Sequence, residues 1–384
     1  MRVALERDGG QRLRRLLADA GDRGRQRVHA TRPQMRALSA APGGKLSWSH
    51  APAPLLPGPQ GAIVHPIAAS TCDLDCPLVL GATQFPLPLH LGHECVAEVL
   101  AVGEQVMKVR VGDRVIVPFQ ISCGACPPCL AGHTGSCASV PPVSMYGFGL
   151  TGGHWGGAFS DELAIPYADA MLVALPAGVD PVAAVGVADN ICDAYRHLAP
   201  HLPGLLERDP DAEVLILAAA NSRTLFTPSV PLYAGLIARA LGAHNIQLAD
   251  SRANVRAHAE RLGFGALHPR QLRRRPPAPL VVDVSGDALG LALASTAPDG
   301  VCSSAGGLHR SARIPFLLMY GRNATLHLGR THVRALMPEV LELIAQGRLH
   351  PETLTTSLAP LDDAPSALRE HFMGDGIKTV LTTG

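Results

Sequence analysis

The chain has 384 residues, of which 47% are hydrophobic and 17% are charged, and 33 Lys and Arg against 32 Asp and Glu leave a formal charge of +1. This length supports about two domains with a large core, and the composition excludes an intrinsically disordered chain. The balanced charge argues against a nucleic-acid binder, because neutralising phosphates requires a surplus of cations.

No apolar run approaches the roughly 18 residues of a membrane-spanning helix, so we expect no membrane partner. The start of the chain is rich in Arg and Asp and lacks the apolar core of a signal peptide, which predicts a cytoplasmic protein. We predict residues 1–34 to be a disordered N-terminal extension. Because the cytoplasm is reducing, the nine cysteines indicate metal binding or thiolate chemistry rather than disulfides.

The chain contains two successive regions that differ in residue pattern. Together they predict an α/β protein with a β-rich part and a parallel sheet. Up to about residue 185 the chain is rich in Gly, Pro and short β-type runs such as Cys95–Val102 and Arg114–Pro118. From residue 214 onward, apolar runs alternate with helical stretches, as in βαβ units. The predicted elements there are strands at 214–218, 246–250, 280–284 and 301–305, helices at 232–241, 254–262, 288–295 and 334–346, and a closing strand at 378–382.

Four cysteines within one short segment predict a structural zinc site. Cys123, Cys126, Cys129 and Cys137 have the spacing C-x2-C-x2-C-x7-C, with Gly and Pro between them that allow the backbone to curl around one ion. Four thiolates about 2.3 Å from a tetrahedral ion form a closed site with no position left for a substrate.

A second candidate metal set is dispersed. Cys72 lies in the segment STCDLDCP, His93 and Glu94 lie in LGHECVAEV, and Asp189 lies in GVADNICDAY. Each of these residues alone is weak evidence, because a single His or Cys is more often a core residue than a ligand. Their occurrence beside the four-cysteine segment strengthens the case for a second metal.

Taken in order, these motifs resemble the zinc-dependent alcohol dehydrogenases of the medium-chain dehydrogenase/reductase superfamily. Besides the cysteines, the matching features are Asp75 three residues after Cys72, the triplet at 92–94, the V-G-x-x-V turn at 102–106, the Gly-Asp-Arg-Val run at 112–115 and the glycine-rich stretch at 152–157. The resemblance covers residues 35–384. It implies a GroES-like catalytic domain at 35–185 and 331–384 and a Rossmann-type dinucleotide-binding domain at 186–330.

The resemblance also implies the catalytic residues. Cys72, His93 and Asp189 are expected to bind a catalytic zinc ion that keeps one open position, with Glu94 outside the ligand set. Asp189 is chosen because the third ligand of the family lies six residues before a Tyr, here Tyr195. Cys192 is the alternative third ligand.

The dinucleotide half departs from the family pattern. No G-x-G-x-x-G follows the strand that begins at Val214, and an inserted stretch, 222–228, precedes the next helix, for which Ser229 is a plausible N-cap. By resemblance, the residues expected to bind the cofactor are Asp250, Ser229, Lys378 and Ser285. An acidic Asp250 would repel a 2′-phosphate, so NAD is expected rather than NADP.

The sequence therefore predicts an enzyme of the EC 1.1.1 type that transfers a hydride between an alcohol or carbonyl substrate and NAD(H), with two zinc ions per chain. The alternative is a zinc lyase, hydrolase or cyclisation enzyme that has weakened or lost the cofactor. Leu74 occupies the place where the family often has a proton-relaying Ser or Thr, and His90 and His154 are candidate substitutes. We expect a small or moderately apolar substrate and a homodimer or homotetramer.

Overall fold

The computed structural model describes residues 33–150, 152–305 and 312–383. All but the last two residues of the predicted extension, 1–34, lie outside the described residues. In the described part of the chain, no helix is both long and apolar enough to cross a membrane.

The β-rich part of the molecule contains two sheets. The smaller sheet has the order β2-β1-β4, and the larger has the order β15-β16-β3-β5-β6-β8 with β7 paired to β3, so the last two strands of the chain return to the sheet built by its first half. The strands are β1 (Gln34–Ala41), β2 (Lys45–Pro52), β3 (Ala62–Ser70), β4 (Leu89–His90), β5 (Glu94–Val102), β6 (Arg114–Val117), β7 (Leu163–Ile165), β8 (Val173–Ala174), β15 (Thr355–Pro360) and β16 (Lys378–Thr382).

The second part is a parallel sheet with the strand order β11-β10-β9-β12-β13-β14. Its strands are β9 (Val214–Ala219), β10 (Ile246–Asp250), β11 (Gly265–Leu267), β12 (Ala278–Asp283), β13 (Thr296–Ser304) and β14 (Thr325–Leu328). All six residues of β9 are buried, which explains its unbroken apolar sequence. The order reverses between β9 and β12, and a crevice at such a reversal is where doubly wound sheets bind ligands.

The four helices predicted from the sequence are all present, with bounds close to the predicted ones. The largest difference is that one of them begins at Ser229 rather than at Leu232. The helices are α1 (Asp75–Val79), α2 (Pro127–Leu130), α3 (Ala168–Met171), α4 (Pro181–Ala184), α5 (Asn190–Arg196), α6 (Leu202–Arg208), α7 (Ser229–Ala240), α8 (Ala253–Arg261), α9 (Leu289–Ala294), α10 (Phe316–Arg322), α11 (Val333–Ala345) and α12 (Ala364–Met373).

One continuous apolar core joins the two parts. Val96 and Ile116 of the large sheet belong to the same buried cluster as Val214 and Ile216 of the parallel sheet. The crevice between the large sheet and the parallel sheet is therefore formed by elements that pack against each other. The predicted fold class, a β-rich part plus a doubly wound parallel sheet, is confirmed, whereas the domain limits at 185, 186, 330 and 331 stay a prediction.

Candidate metal centres and cofactor crevice

Strand pairing brings two of the predicted catalytic ligands together. β3 and β5 are antiparallel, with Ser70 opposite Glu94, so Cys72 just after β3 and His93 just before β5 lie at the same end of the sheet. Asp189 lies at the turn that leads into α5. All three side chains are buried, and their ligand atoms lie within 4.8 Å of one another.

The spacing of these atoms suits one zinc ion. Asp189 Oδ2 lies 3.2 Å from Cys72 Sγ and 3.3 Å from His93 Nε2. Ligand atoms about 2.0–2.3 Å from a tetrahedral zinc lie about 3.3–3.7 Å from each other, close to these separations. Both ring nitrogens of His93 are buried without a hydrogen-bond partner among the described residues, as expected for a side chain whose partner is a metal.

The electrostatics of the centre also favour a dication. Burial raises the pKa of the Cys72 thiol well above its ordinary value, and the neighbouring carboxylates, Asp189 first, raise it further. Burial lowers the pKa of His93, but Asp189 and Asp75 outweigh burial and raise it overall. A buried cluster of acidic groups and a thiol needs a compensating positive charge, and Zn²⁺ supplies two.

Glu94 lies behind the ligand set. Its Oε1 accepts a hydrogen bond of 2.9 Å from the backbone N–H of Asn190, and its Oε2 contacts both Ser70 Oγ and Lys378 Nζ. Asn190 Nδ2 in turn donates to Cys72 Sγ at 3.1 Å and to Asp189 Oδ2 at 3.0 Å. These contacts orient two of the three candidate ligands.

The alternative ligand, Cys192, is fully buried in α5 and lies outside the cluster of ligand atoms. Burial raises the pKa of its thiol well above the ordinary value, with Asp189 adding to the effect. The geometry therefore places Asp189, and not Cys192, beside Cys72 and His93. The ligand assignment itself remains a prediction.

A cavity of about 290 Å³ opens beside Cys72 and Asp189. Its wall is mainly apolar and includes Leu74 together with an aromatic group that the sequence analysis did not identify, Phe85, Phe119 and Phe148. The ring of Phe148 packs edge-on against His93, with 4.8 Å between centroids. His90 and His154 are not among the residues that line this cavity, so neither is placed to replace the missing relay.

The four cysteines of the predicted structural site also converge. Cys126 Sγ and Cys137 Sγ are 3.9 Å apart, close to the edge of a tetrahedron of thiolates about 2.3 Å from zinc. Burial opposes ionisation of Cys123, but hydrogen bonds from Ser139 Oγ and from backbone N–H groups outweigh it and lower the pKa of this thiol to about 6. N–H groups directed at sulfur stabilise thiolates, so the segment fits a closed zinc site.

None of the four predicted cofactor residues is among the residues that line the cavity beside Cys72 or a second cavity next to it, and their polar groups bond to protein atoms. Asp250 ends β10 and is fully buried, and both its carboxylate oxygens accept hydrogen bonds from Arg252, at 3.0 and 2.7 Å. Lys378 is fully buried, pairs with Glu94 and donates to Asn190 Oδ1 at 2.8 Å. Ser285 Oγ donates to Asp283 at 2.6 Å. Their roles toward a cofactor stay predictions.

Asp73, to which the sequence analysis gave no role, forms the most unusual contact of the crevice. Its carboxylate accepts from the backbone N–H groups of Ser229 and Val230, each at 2.9 Å, and contacts Ser229 Oγ. Ser229 is thus the first residue of α7, and the cap predicted for its side chain is supplied instead by Asp73. No sequence signal marks this pair, because the two residues are 156 positions apart.

Comparisons with known proteins agree with this architecture. Residues 58–177 match the family model for the alcohol dehydrogenase GroES-like domain. The chain is 28% identical over 349 residues to a Mycobacterium tuberculosis protein named "Probable zinc-binding alcohol dehydrogenase", covering 86% of this chain and 83% of that protein. It is also 28% identical over 391 residues to the glutathione-independent formaldehyde dehydrogenase of Pseudomonas aeruginosa, covering 88% of this chain and 95% of the relative.

Among solved structures, the alcohol dehydrogenase of Thermus sp. ATN1 superposes with a TM-score of 0.81 at 29% identity, covering 91% of this chain and 100% of that one. The similarity thus extends over the β-rich part, the parallel sheet and the crevice between them.

Proposed function

Because the chain belongs to the zinc-dependent alcohol dehydrogenase branch of the medium-chain dehydrogenase/reductase superfamily, we propose that it transfers a hydride between an alcohol or carbonyl substrate and a nicotinamide dinucleotide. One observation carries the proposal. Cys72 and Asp189 line the same cavity as Val284 and Gly286, which follow the carboxyl end of β12 at the reversal of the parallel sheet. The residues that would hold the catalytic zinc and the surface that would receive a nicotinamide ring therefore face one space.

Cys72, His93 and Asp189 would hold the catalytic zinc, and the four-cysteine segment would hold a second, structural zinc. Zinc, when bound, supplies a Lewis acid that favours loss of a proton from an alcohol and polarises a carbonyl. The overall reaction converts C–OH to C=O, releasing the hydroxyl proton to water while the hydride passes to the oxidised dinucleotide.

The cavity wall indicates the substrate class. Phe85, Phe119 and Phe148 offer an apolar surface beside the candidate zinc ligands, which favours a small alcohol or aldehyde with an apolar substituent. Thr331 also lines this cavity, and its Oγ1 is buried without a hydrogen-bond partner among the described residues. Leu74 has no proton to exchange, so the released proton leaves through water at the mouth of the cavity.

The two ends of a dinucleotide differ in how they fit. Val230, Val284 and Ala305 offer the nicotinamide an apolar wall. The pyrophosphate does not fit the start of α7 as it stands, because Asp73 already holds the N–H groups there. Asp250 favours NAD over NADP by its charge, but Arg252 compensates that charge.

The test is an assay of the zinc-loaded protein with short-chain and aromatic alcohols and either NAD or NADP, following formation of the reduced nicotinamide. We expect alcohol-dependent reduction, faster with NAD, that is lost after chelation and restored by added zinc. Zinc-dependent turnover that needs neither dinucleotide would replace the proposal by the non-redox alternative.

We also propose that the protein acts in the cytoplasm as a homodimer or homotetramer. In the described part of the chain, β14 pairs only with β13, and the adjacent α10 exposes Phe316, Leu317 and Tyr320 by 78%, 82% and 80%. An edge strand beside exposed apolar side chains favours association with a second copy. Sedimentation should give a dimer or tetramer, and Leu317→Asp should shift it toward the monomer. A wild-type monomer at micromolar concentration would contradict this.

A further inference from the structure

The start of α7 is the part of the crevice that departs most from a dinucleotide-binding site. α7 has twelve residues and follows β9, the first strand of the parallel sheet. In this architecture the N–H groups at the start of that helix bind the pyrophosphate, because they lack partners within the helix and carry its positive dipole end. Here a carboxylate of the chain itself takes their hydrogen bonds.

Asp73 binds this helix end with both oxygens. Oδ1 accepts from Ser229 N at 2.9 Å and from Thr227 Oγ1 at 3.0 Å, while Oδ2 accepts from Val230 N at 2.9 Å. Asp73 directly follows Cys72, so the metal-binding turn after β3 holds the carboxylate at this position. The Asp73 carboxylate thus occupies the position in which an external anion would bind the start of α7.

The positive charge nearest this position is already engaged. Lys378 Nζ pairs with Glu94 and donates to Asn190 Oδ1, which also accepts from Ser229 Oγ at 2.8 Å. A pyrophosphate entering here would meet the negative charge of Asp73 and would lose two backbone donors. Like charges in a partly buried site repel strongly.

The segment before α7 divides the crevice at the same point. The ring of Phe226 packs on Gly286, where an added methyl group would lie 3.0 Å from the ring. Phe226 lines both the cavity at the metal centre and a second cavity of about 630 Å³, which extends to Arg252 beyond the end of β10. The two halves of an elongated dinucleotide would thus occupy two separate cavities, and Phe226 lies where the cavities meet.

We propose that Asp73 is an intramolecular competitor of the cofactor pyrophosphate, so that a dinucleotide binds across the crevice only after Asp73 releases the start of α7. The inference rests on the proposed function, because it names the residue that controls cofactor affinity at that site. It makes Asp73 a determinant of cofactor binding that is coupled, through the adjacent Cys72, to the metal-binding turn.

The test compares wild type with Asp73→Asn and Asp73→Gly by titration calorimetry with ADP-ribose and by NADH fluorescence. ADP-ribose carries the pyrophosphate without the nicotinamide, so it isolates the contact in question. Asparagine keeps an oxygen that can cap the helix but removes the charge, and glycine clears the position. We expect affinity for both ligands to rise about tenfold or more in Asp73→Asn, and further in Asp73→Gly.

Asp180→Asn is the matched control, because Asp180 accepts from Val182 N at 2.8 Å at the start of α4, outside the lining of both cavities. Its ligand affinity should equal that of wild type, and thermal melts should show that every protein compared is folded. Equal or weaker binding by both Asp73 variants would overturn the inference, even if wild type oxidises alcohols with NAD. Tighter binding without alcohol oxidation would instead support the inference and reject the proposed function.

Discussion

Replacing Asp189 with alanine should remove one of two zinc ions per chain and lower alcohol oxidation on the order of a thousandfold or more. The physical reason is that Asp189 Oδ2 lies close to both Cys72 Sγ and His93 Nε2, at 3.2 and 3.3 Å. Its loss would leave only two protein ligands, too few for a catalytic zinc site. Elemental analysis and the alcohol assay measure the two effects on the same sample.

Cys192→Ala is the control for this experiment. Its thiol is buried three positions along α5 but lies outside the ligand cluster, so the variant should keep both zinc ions and most of the activity. If Cys192→Ala loses the metal and Asp189→Ala retains it, the register counted from Tyr195 is wrong and Cys192 is the ligand.

The Cys126→Ser variant should lose the zinc ion of the four-cysteine segment. Its free energy of unfolding should fall by on the order of several kcal/mol, because the binding energy of a structural zinc contributes directly to folding. The four thiols close on one position within the segment 123–137, which has little regular structure beyond α2 and a short 3-10 helix at Thr134–Ser136. We expect a lower melting temperature, while catalysis by the fraction that remains folded is retained. Differential scanning calorimetry with zinc analysis measures both quantities.

Cys302→Ala controls for the loss of a thiol as such. Cys302 is buried in β13 and belongs to neither cysteine-containing metal cluster, so this variant should keep two zinc ions and lose only the modest stability of a small core truncation. A Cys126→Ser protein with two zinc ions and the melting temperature of wild type would show that the segment is not a zinc site.

How far the sequence predicted the sites depended on the distance between partners along the chain. Cys123, Cys126, Cys129 and Cys137 could be grouped from spacing alone, because a short segment with Gly and Pro can bring its own side chains together. Cys72, His93 and Asp189 could be grouped only through the resemblance to a known family. The aromatic wall made by Phe85, Phe119 and Phe148 left no local pattern and was missed.

The sequence by itself determined four of the six strands of the parallel sheet, β9, β10, β12 and β13, because the burial of such strands requires apolar runs that are readable residue by residue. The strands β11 and β14 were not predicted. The sequence also predicted the metal-ligand types, cysteine, histidine and aspartate. Only the tertiary structure decided which charges remain available to a cofactor. Lys378 is buried against Glu94, and Asp73 reaches the start of α7 across 156 positions. A polar side chain's partner is set by the packing of distant elements, and composition and spacing carry no record of that packing.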